Sequence, residues 1–335
     1  MKLATFTYDG CSRIGAVSDN DIVDLQRAYA RYLREAKGDG AAERIAGATF
    51  PNDMVALLER YAVSGEAAEQ ALLYAQGLPD QEPAWQARVR YKLDEVRLER
   101  PLVPQTIMAA GPRPTTPGAK LYPFSEFYIK PPTAVIGPEE AVVTQPNIAH
   151  LLPEAELGII FAGGGRHVSP EEALNNIFGY TIFLDLIDAE RLIFGWEGTT
   201  MFHTRYGEGA SFDTSGVLGP WIVTRDELPD VDNVSIKLYI NEKLQVEYRP
   251  VDLWRSIAEY SSYLSTFFPL EPKILGTSGV PYGATYGPDA AGDPHITAGG
   301  EVRPVTASDR IVAQIDGIGR LETQVMDSMV KGAGQ

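Results

Sequence analysis

Glu154 and Glu156 flank Ala155 immediately ahead of the apolar run Leu157-Gly-Ile-Ile-Phe161. On an extended strand, residues two apart project from the same face, so the two carboxylates converge on one spot. Like charges held that close raise each other's pKa and cost stability unless a cation, a basic side chain or bulk water compensates. The pair alone is compatible with a solvated strand edge. Asp185 shifts that balance because it lies inside Thr181-Ile-Phe-Leu-Asp-Leu-Ile187, and a carboxylate within a strand-like apolar run is seldom left unpaired. A three-carboxylate set suits a hard, oxygen-seeking ion such as Mg²⁺, Mn²⁺ or Ca²⁺ better than Zn²⁺, for which His or Cys is expected.

The elements that must position these residues are legible in the periodicity. Lys2 to Tyr8, Ser12 to Val17 and Asp21 to Leu25 alternate apolar and polar residues between turn signals, which predicts a small antiparallel meander. From Gln26 to about Arg100 the spacing becomes helical, as in Met54, Leu57, Leu58, Tyr61 and Ala68, Ala71, Leu72, Ala75, with a turn at Gly77 to Asp80. Pro101 and Pro104 then introduce a longer part with short β-like runs at Thr133 to Ile136, Leu157 to Phe161, Thr181 to Leu186, Trp221 to Thr224, Val234 to Ile240 and Arg310 to Ile315. The reading is an α+β, mostly β protein: residues 1–100 form a small N-terminal α+β cap of meander plus helices, and residues 101–330 form the metal-binding catalytic domain.

Length and composition agree with a globular chain. With 335 residues and 44% hydrophobic content it buries a large core. A formal charge of −16, from 45 acidic against 29 basic residues with no Lys/Arg run, predicts neither a nucleic-acid nor an anionic-membrane partner. An acidic protein that handles an anionic substrate needs local positive charge, which a metal supplies. The single cysteine, Cys11, forms no intrachain disulfide, and no apolar signal segment opens the sequence. No stretch reaches the roughly 20 apolar residues of a membrane span, so the expectation is a cytoplasmic protein.

Six segments, in order, resemble the successive motifs of the fumarylacetoacetate hydrolase family. They are Lys130-Pro-Pro-Thr-Ala-Val-Ile-Gly137, Glu154-Ala-Glu-Leu157, Gly179-Tyr-Thr181 leading to Asp185, Ser211-Phe-Asp-Thr214 with Leu218-Gly-Pro-Trp-Ile-Val-Thr224, Gly276-Thr277, and Asp316-Gly-Ile-Gly-Arg-Leu321. The resemblance runs from about Pro101 to Val325. It implies a distorted β-roll, a homodimer, and a Mg²⁺-like ion held by Glu154, Glu156 and Asp185. It also implies a small oxo-acid or diketone substrate, handled through an enolate-like intermediate that a Lewis acid stabilises. Lys130 matches the lysine of the Lys-Pro-Pro motif, to counter the carboxylate charge or hold a substrate acid group. Thr277 matches a threonine that contacts bound oxo acid.

Three departures bear on the reaction. Around the third ligand the chain reads Leu184-Asp-Leu-Ile-Asp-Ala-Glu190, without the family's neighbouring polar groups and arginine; Arg191 is out of register. Ala210 stands where the family carries a lysine before Ser-Phe-Asp-Thr. Gly111-Pro-Arg-Pro-Thr-Thr-Pro-Gly118 stands where many members carry a water-activating histidine, and no histidine precedes His150. His203, in a segment that links Asp185 to Ser-Phe-Asp-Thr, is a candidate substitute base. Arg113 and Arg205 are candidates for binding the substrate's anionic group. Tyr122, Phe124, Phe127 and Tyr128 are read together as an aromatic wall above the metal.

The leading function is metal-dependent hydrolysis of a C–C bond in a 1,3-diketone or acylpyruvate-type oxo acid, in aromatic-compound or small-acid catabolism. The missing histidine supports a lyase or isomerase alternative: decarboxylation, dehydration or tautomerisation. A non-catalytic metal- or acid-binding homologue is the third reading.

Overall fold

Lys2 to Tyr8 alternates as a half-buried strand should. In the computed structural model of the chain it forms β1 (Lys2–Tyr8), the first strand of a meander with β2 (Cys11–Ser18) and β3 (Asp21–Asp24). The described residues are 1–79, 87–110, 127–146, 148, 151–188, 193–195, 202–204, 206–253, 255–281 and 302–328, with 193–195, 202–204 and 206 as backbone only. Asp24 ends the meander and starts α1 (Leu25–Lys37), its carboxylate accepting from the Arg27 amide at 3.0 Å. That capping bond satisfies one of the orphan N–H groups of the first turn.

The helices α2 (Ala42–Thr49), α3 (Met54–Leu58) and α4 (Tyr61–Gln76) follow. Ala67, Ala68, Ala71 and Ala75 of α4 are buried in one core with Ile160, Phe178, Phe183, Leu218 and Leu275 from the strands beyond. Small side chains let that helix lie close to the sheet. The expected helical stretch does not run to Arg100, because β4 (Arg90–Lys92) and β5 (Arg97–Leu98) return to pair with β3 and β1. Strands of three and two residues are too short for alternation to show.

The second part supplies β6 (Thr106–Ala110), β7 (Phe127–Lys130), β8 (Val135–Ile136), β9 (Val142–Val143) and β10 (Leu151–Phe161). After α5 (Pro170–Asn175) come β11 (Ile177–Asp188), β12 (Ile193–Gly195), β13 (Phe202–Thr204), α6 (Tyr206–Gly209) and β14 (Gly216–Thr224). β15 (Ile236–Ile240), β16 (Lys243–Tyr248), α7 (Ile257–Leu264), β17 (Ile274–Thr277), β18 (Arg310–Ile315) and β19 (Gly319–Met326) complete the chain. Thr133 to Ile136 is not the strand expected. Pro131 and Pro132 bend it into a 3₁₀ turn over Pro132–Ala134, leaving only β8 extended.

Twelve strands among the described residues form one sheet, in the order β4-β3-β2-β1-β14-β11-β10-β17-β6-β7, with β5 on β1 and β8 on β14. The N-terminal meander therefore continues into the strands that carry the acids, through the β1–β14 pairing. Every residue of β10 and β11 is buried. One face contributes Leu157, Ile159, Ile182 and Leu184 to a core shared with Leu238, Ile311, Ala313 and Leu321 of a second sheet, β16-β15-β18-β19-β9. Among the described residues no helix is long and apolar enough to cross a membrane.

Gly179 opens the β11–β14 ladder where a side chain has no room, since a Cβ there would meet the Val223 carbonyl oxygen at 2.3 Å. Gly179→Ala should destabilise the protein by at least about 2 kcal/mol, at the upper end of what overpacking costs. A shift under about 0.5 kcal/mol in urea unfolding would contradict the close approach.

Candidate metal centre

Strand register brings the three acids together. Glu154 lies directly opposite Asp185 in the β10–β11 ladder, and Glu156, two residues on, lies opposite Phe183. Opposed residues of neighbouring strands share a face, so all three carboxylates project on one side. Their ligand oxygens lie within 4.8 Å of one another, and all three residues are buried.

The same bookkeeping reaches the far end of the sheet. Gly158 pairs with Thr277, Leu275 with Ile107, and Ile107 with Lys130, while Ala109 faces Tyr128. Thr277, Tyr128 and Lys130 therefore point to the side of the acids. Four interstrand gaps separate β11 from β7, roughly 19 Å in a flat sheet, which is beyond the joint reach of a tyrosine and an aspartate. Yet the Tyr128 hydroxyl donates to Asp185 Oδ2, and Lys130 Nζ stands 2.9 Å from Asp185 Oδ1. The sheet has rolled until its far edge meets its centre. The Lys-Pro-Pro-Thr corner closes the roll in the chain itself, because it leads from β7 straight to β8 on β14, the neighbour of β11.

Lys130 is wholly buried and surrounded by protein acceptors. Its ammonium donates to the Ala210 carbonyl, to Ser215 Oγ at 2.9 Å and to the Ser215 carbonyl at 3.1 Å, besides pairing with Asp185. Three N–H bonds have four protein oxygens to serve, which makes this lysine a strut between β7 and the loop ahead of β14. Glu156 is held differently. Its Oε2 accepts from the Gly279 amide at 2.9 Å, while its Oε1 is buried without a hydrogen-bond partner. The turn that supplies that amide is fastened to β10 by Ser278, whose Oγ accepts from the Leu157 amide at 3.0 Å. Gly279 has φ of +69° and a Cβ there would meet that of Ala110 at 2.9 Å, so glycine is required.

Burial pushes the Glu156 carboxyl well above the usual range, with the charges of Asp185 and Glu154 adding to the rise; the Thr277 hydroxyl and the Gly279 amide oppose it. Asp185 is also raised by burial, against the pull of Lys130 and Tyr128. Among the described residues three buried carboxylates face one ammonium, and a buried excess of negative charge is costly unless a cation completes it. The donor set is all oxygen, and Glu156 Oε1 accepts no hydrogen bond from the described residues. Both features fit a hard divalent ion.

Other expected residues fare unevenly. Thr277 accepts from the Ala110 amide through Oγ1 at 3.2 Å, beside Glu156. His203 sits on β13, opposite Phe194 in a two-stranded hairpin, and its side chain lies outside the described residues. Arg113 and Arg205 also lie outside them, as do Tyr122 and Phe124. For the two described members of the aromatic wall, strand geometry gives a correction: Tyr128 joins the acids and Phe127 does not. Phe127, on the opposite face of β7, packs against Tyr263 and Phe267 at 6.2 and 5.1 Å between ring centroids. Ser278 and Gly279 were missed because nothing in a Ser-Gly pair distinguishes a ligand-holding turn from any other turn.

The sequence model described as fumarylacetoacetate (FAA) hydrolase C-terminal matches residues 109–326. An uncharacterised protein of Pyrococcus abyssi (strain GE5 / Orsay) is 30% identical over 204 residues, 60% of this chain and 79% of that protein. A 4-hydroxyphenylacetate degradation bifunctional isomerase/decarboxylase of Salmonella dublin is 27% identical over 199 residues, which span 59% of this chain and only 41% of that enzyme. Among solved structures, maleylpyruvate hydrolase from Sphingobium sp. SYK-6 is 26% identical with a TM-score of 0.68, covering 98% of this chain and 100% of that one. The same enzyme has been solved in complex with manganese(II) ion and pyruvate, at 25% identity and a TM-score of 0.68.

Proposed function

The chain belongs to the fumarylacetoacetate hydrolase family, and from that premise we propose that it hydrolyses a C–C bond of an acylpyruvate or 1,3-diketone with a divalent ion held by Glu154, Glu156 and Asp185. The observation that carries the proposal is the buried cluster of three carboxylates, opposite one ammonium among the described residues, with Glu156 Oε1 accepting no hydrogen bond from them. The chemistry a Mg²⁺ or Mn²⁺ ion supplies when bound there is Lewis-acid polarisation of an oxo acid's carbonyl, which stabilises the negative charge that develops as the bond breaks. The likeness to a maleylpyruvate hydrolase solved with manganese(II) and pyruvate supports both the ion and the pyruvate end of the substrate.

The chain's own groups set the conditions. Lys130 offsets one carboxylate charge and holds the loop before β14, which leaves the substrate's acid group to other donors. Thr277 and the Gly279 amide border Glu156 and fix its orientation. The rolled sheet keeps the acids away from bulk water, so that fixed charges act at short range in a medium of low polarity.

A lyase or isomerase is the second reading, favoured by the absence of any histidine ahead of His150, where many members of the family carry the one that activates water. Decarboxylation or tautomerisation needs no activated water.

The deciding assay strips the protein with a chelator, restores Mg²⁺ or Mn²⁺, and follows acylpyruvates, 1,3-diketones and oxaloacetate in H₂¹⁸O. Metal-restored cleavage with ¹⁸O in the new carboxylate is expected. Release of carbon dioxide or isomerisation without ¹⁸O would establish the second reading, and activity that survives chelation would sink both.

A further inference from the structure

Tyr128 and Lys130 stand two residues apart on β7, on the face of the acids, and each takes a different oxygen of the same carboxylate. The phenol donates to Asp185 Oδ2, and the ammonium pairs with Asp185 Oδ1 at 2.9 Å. The two anchors differ in their remaining work. Lys130 also ties down Ala210 and Ser215, whereas the Tyr128 hydroxyl is seen to serve Asp185. Burying a hydroxyl is unfavourable unless it is hydrogen-bonded, and this one is spent on a carboxylate that already has an ammonium. β7 is the terminal strand of the ladder, so the phenol approaches Asp185 from an element outside the strand pair that carries the acids.

We propose that Tyr128 is a positioning residue for the metal centre, holding the plane of the Asp185 carboxylate in one orientation toward the ion. A carboxylate oxygen offers about two acceptor directions; Tyr128 takes one on Oδ2, the Lys130 charge stands against Oδ1, and rotation of the carboxylate disturbs both contacts. Without the phenol, Asp185 Oδ2 loses the hydrogen bond that fixes it. The inference rests on the metal reading above and deepens it, by assigning to an edge strand the orientation of a ligand on a central one. Outer partners of this kind set metal affinity, and their loss weakens binding about 10–100-fold.

The test uses the full chain, stripped with a chelator and titrated with Mn²⁺ alone, with free ion followed by electron paramagnetic resonance. Tyr128→Phe is expected to weaken Mn²⁺ binding about 10–100-fold and to change the line shape of the bound ion, with the metal-free fold intact by circular dichroism. Binding within about twofold of wild type with an unchanged line shape would overturn the role of Tyr128 while leaving the metal reading in place. Failure of the wild-type protein to bind Mn²⁺ would overturn both. Should Tyr128→Phe not fold, 3-fluorotyrosine placed at 128 decides the matter, since it keeps the hydroxyl. Mg²⁺ is expected to shift its ¹⁹F resonance, and a resonance indifferent to Mg²⁺ would refute the proposal.

Discussion

Glu156→Gln should yield a protein that melts at a higher temperature than the wild type when both are free of metal, yet gains no stability from Mn²⁺ and loses at least about a thousandfold in metal-dependent turnover. The two effects share one cause. Glu156 is wholly buried among like charges, and in the absence of a cation its charge opposes folding. Glutamine has the same shape, its oxygen still accepts from the Gly279 amide, and its NH₂ group donates to the neighbouring carboxylates. Relief of that repulsion is worth about 1–3 kcal/mol by analogy with other buried polar groups. The lost turnover corresponds to several kcal/mol of charge stabilisation at the reacting carbonyl. Calorimetry with and without Mn²⁺, beside the activity assay, checks both halves. A metal-free variant less stable than the wild type would mean that the acids are already compensated by the protein, and the case for a cation would fall.

Lys130→Met should have the opposite sign. Removing the Lys130 ammonium, the only one against Asp185 among the described residues, leaves a buried carboxylate without its counter-charge, and it releases the Ala210 and Ser215 oxygens from their donor. Breaking one partner out of a buried pair costs about 3–5 kcal/mol, enough to threaten the fold of a domain of ordinary stability. Asp185→Asn placed on top should recover part of the loss, because the amide needs no counterion. The double-mutant cycle from urea unfolding reads the coupling directly. Strict additivity of the two substitutions would show that the pair does not interact and that Lys130 serves only the loop.

The acid cluster was legible because its geometry is local: an i,i+2 pair on one strand, and an acid in an apolar run that became its antiparallel neighbour. β1 and β18 were legible for the same reason, as short β-like runs whose bounds the strands match. β10 begins earlier than its apolar run suggested, at Leu151, because Pro153 interrupts the pattern without breaking the strand. Contacts produced by curvature were not legible. Nothing near Tyr128 signals that its hydroxyl will meet Asp185, because that meeting depends on rolling five strands, and the Lys-Pro-Pro corner reads only as a turn. The role of Lys130 was half legible: its charge implied an acidic neighbour, while the backbone oxygens that saturate it come from a loop some 80 residues away.

That curvature also bears on how the molecule reaches its native state. The bonds that complete the centre join residues 57, 80 and 123 positions apart, and long-range closures of this kind make for slow folding because chain entropy is lost before the contacts reward it. The roll must close before Asp185 has its anchors, so tight ion binding arises late on the route. A pulse of Mn²⁺ during refolding would then be retained only by molecules whose Lys-Pro-Pro corner has docked, which makes the ion a clock for the last step of assembly.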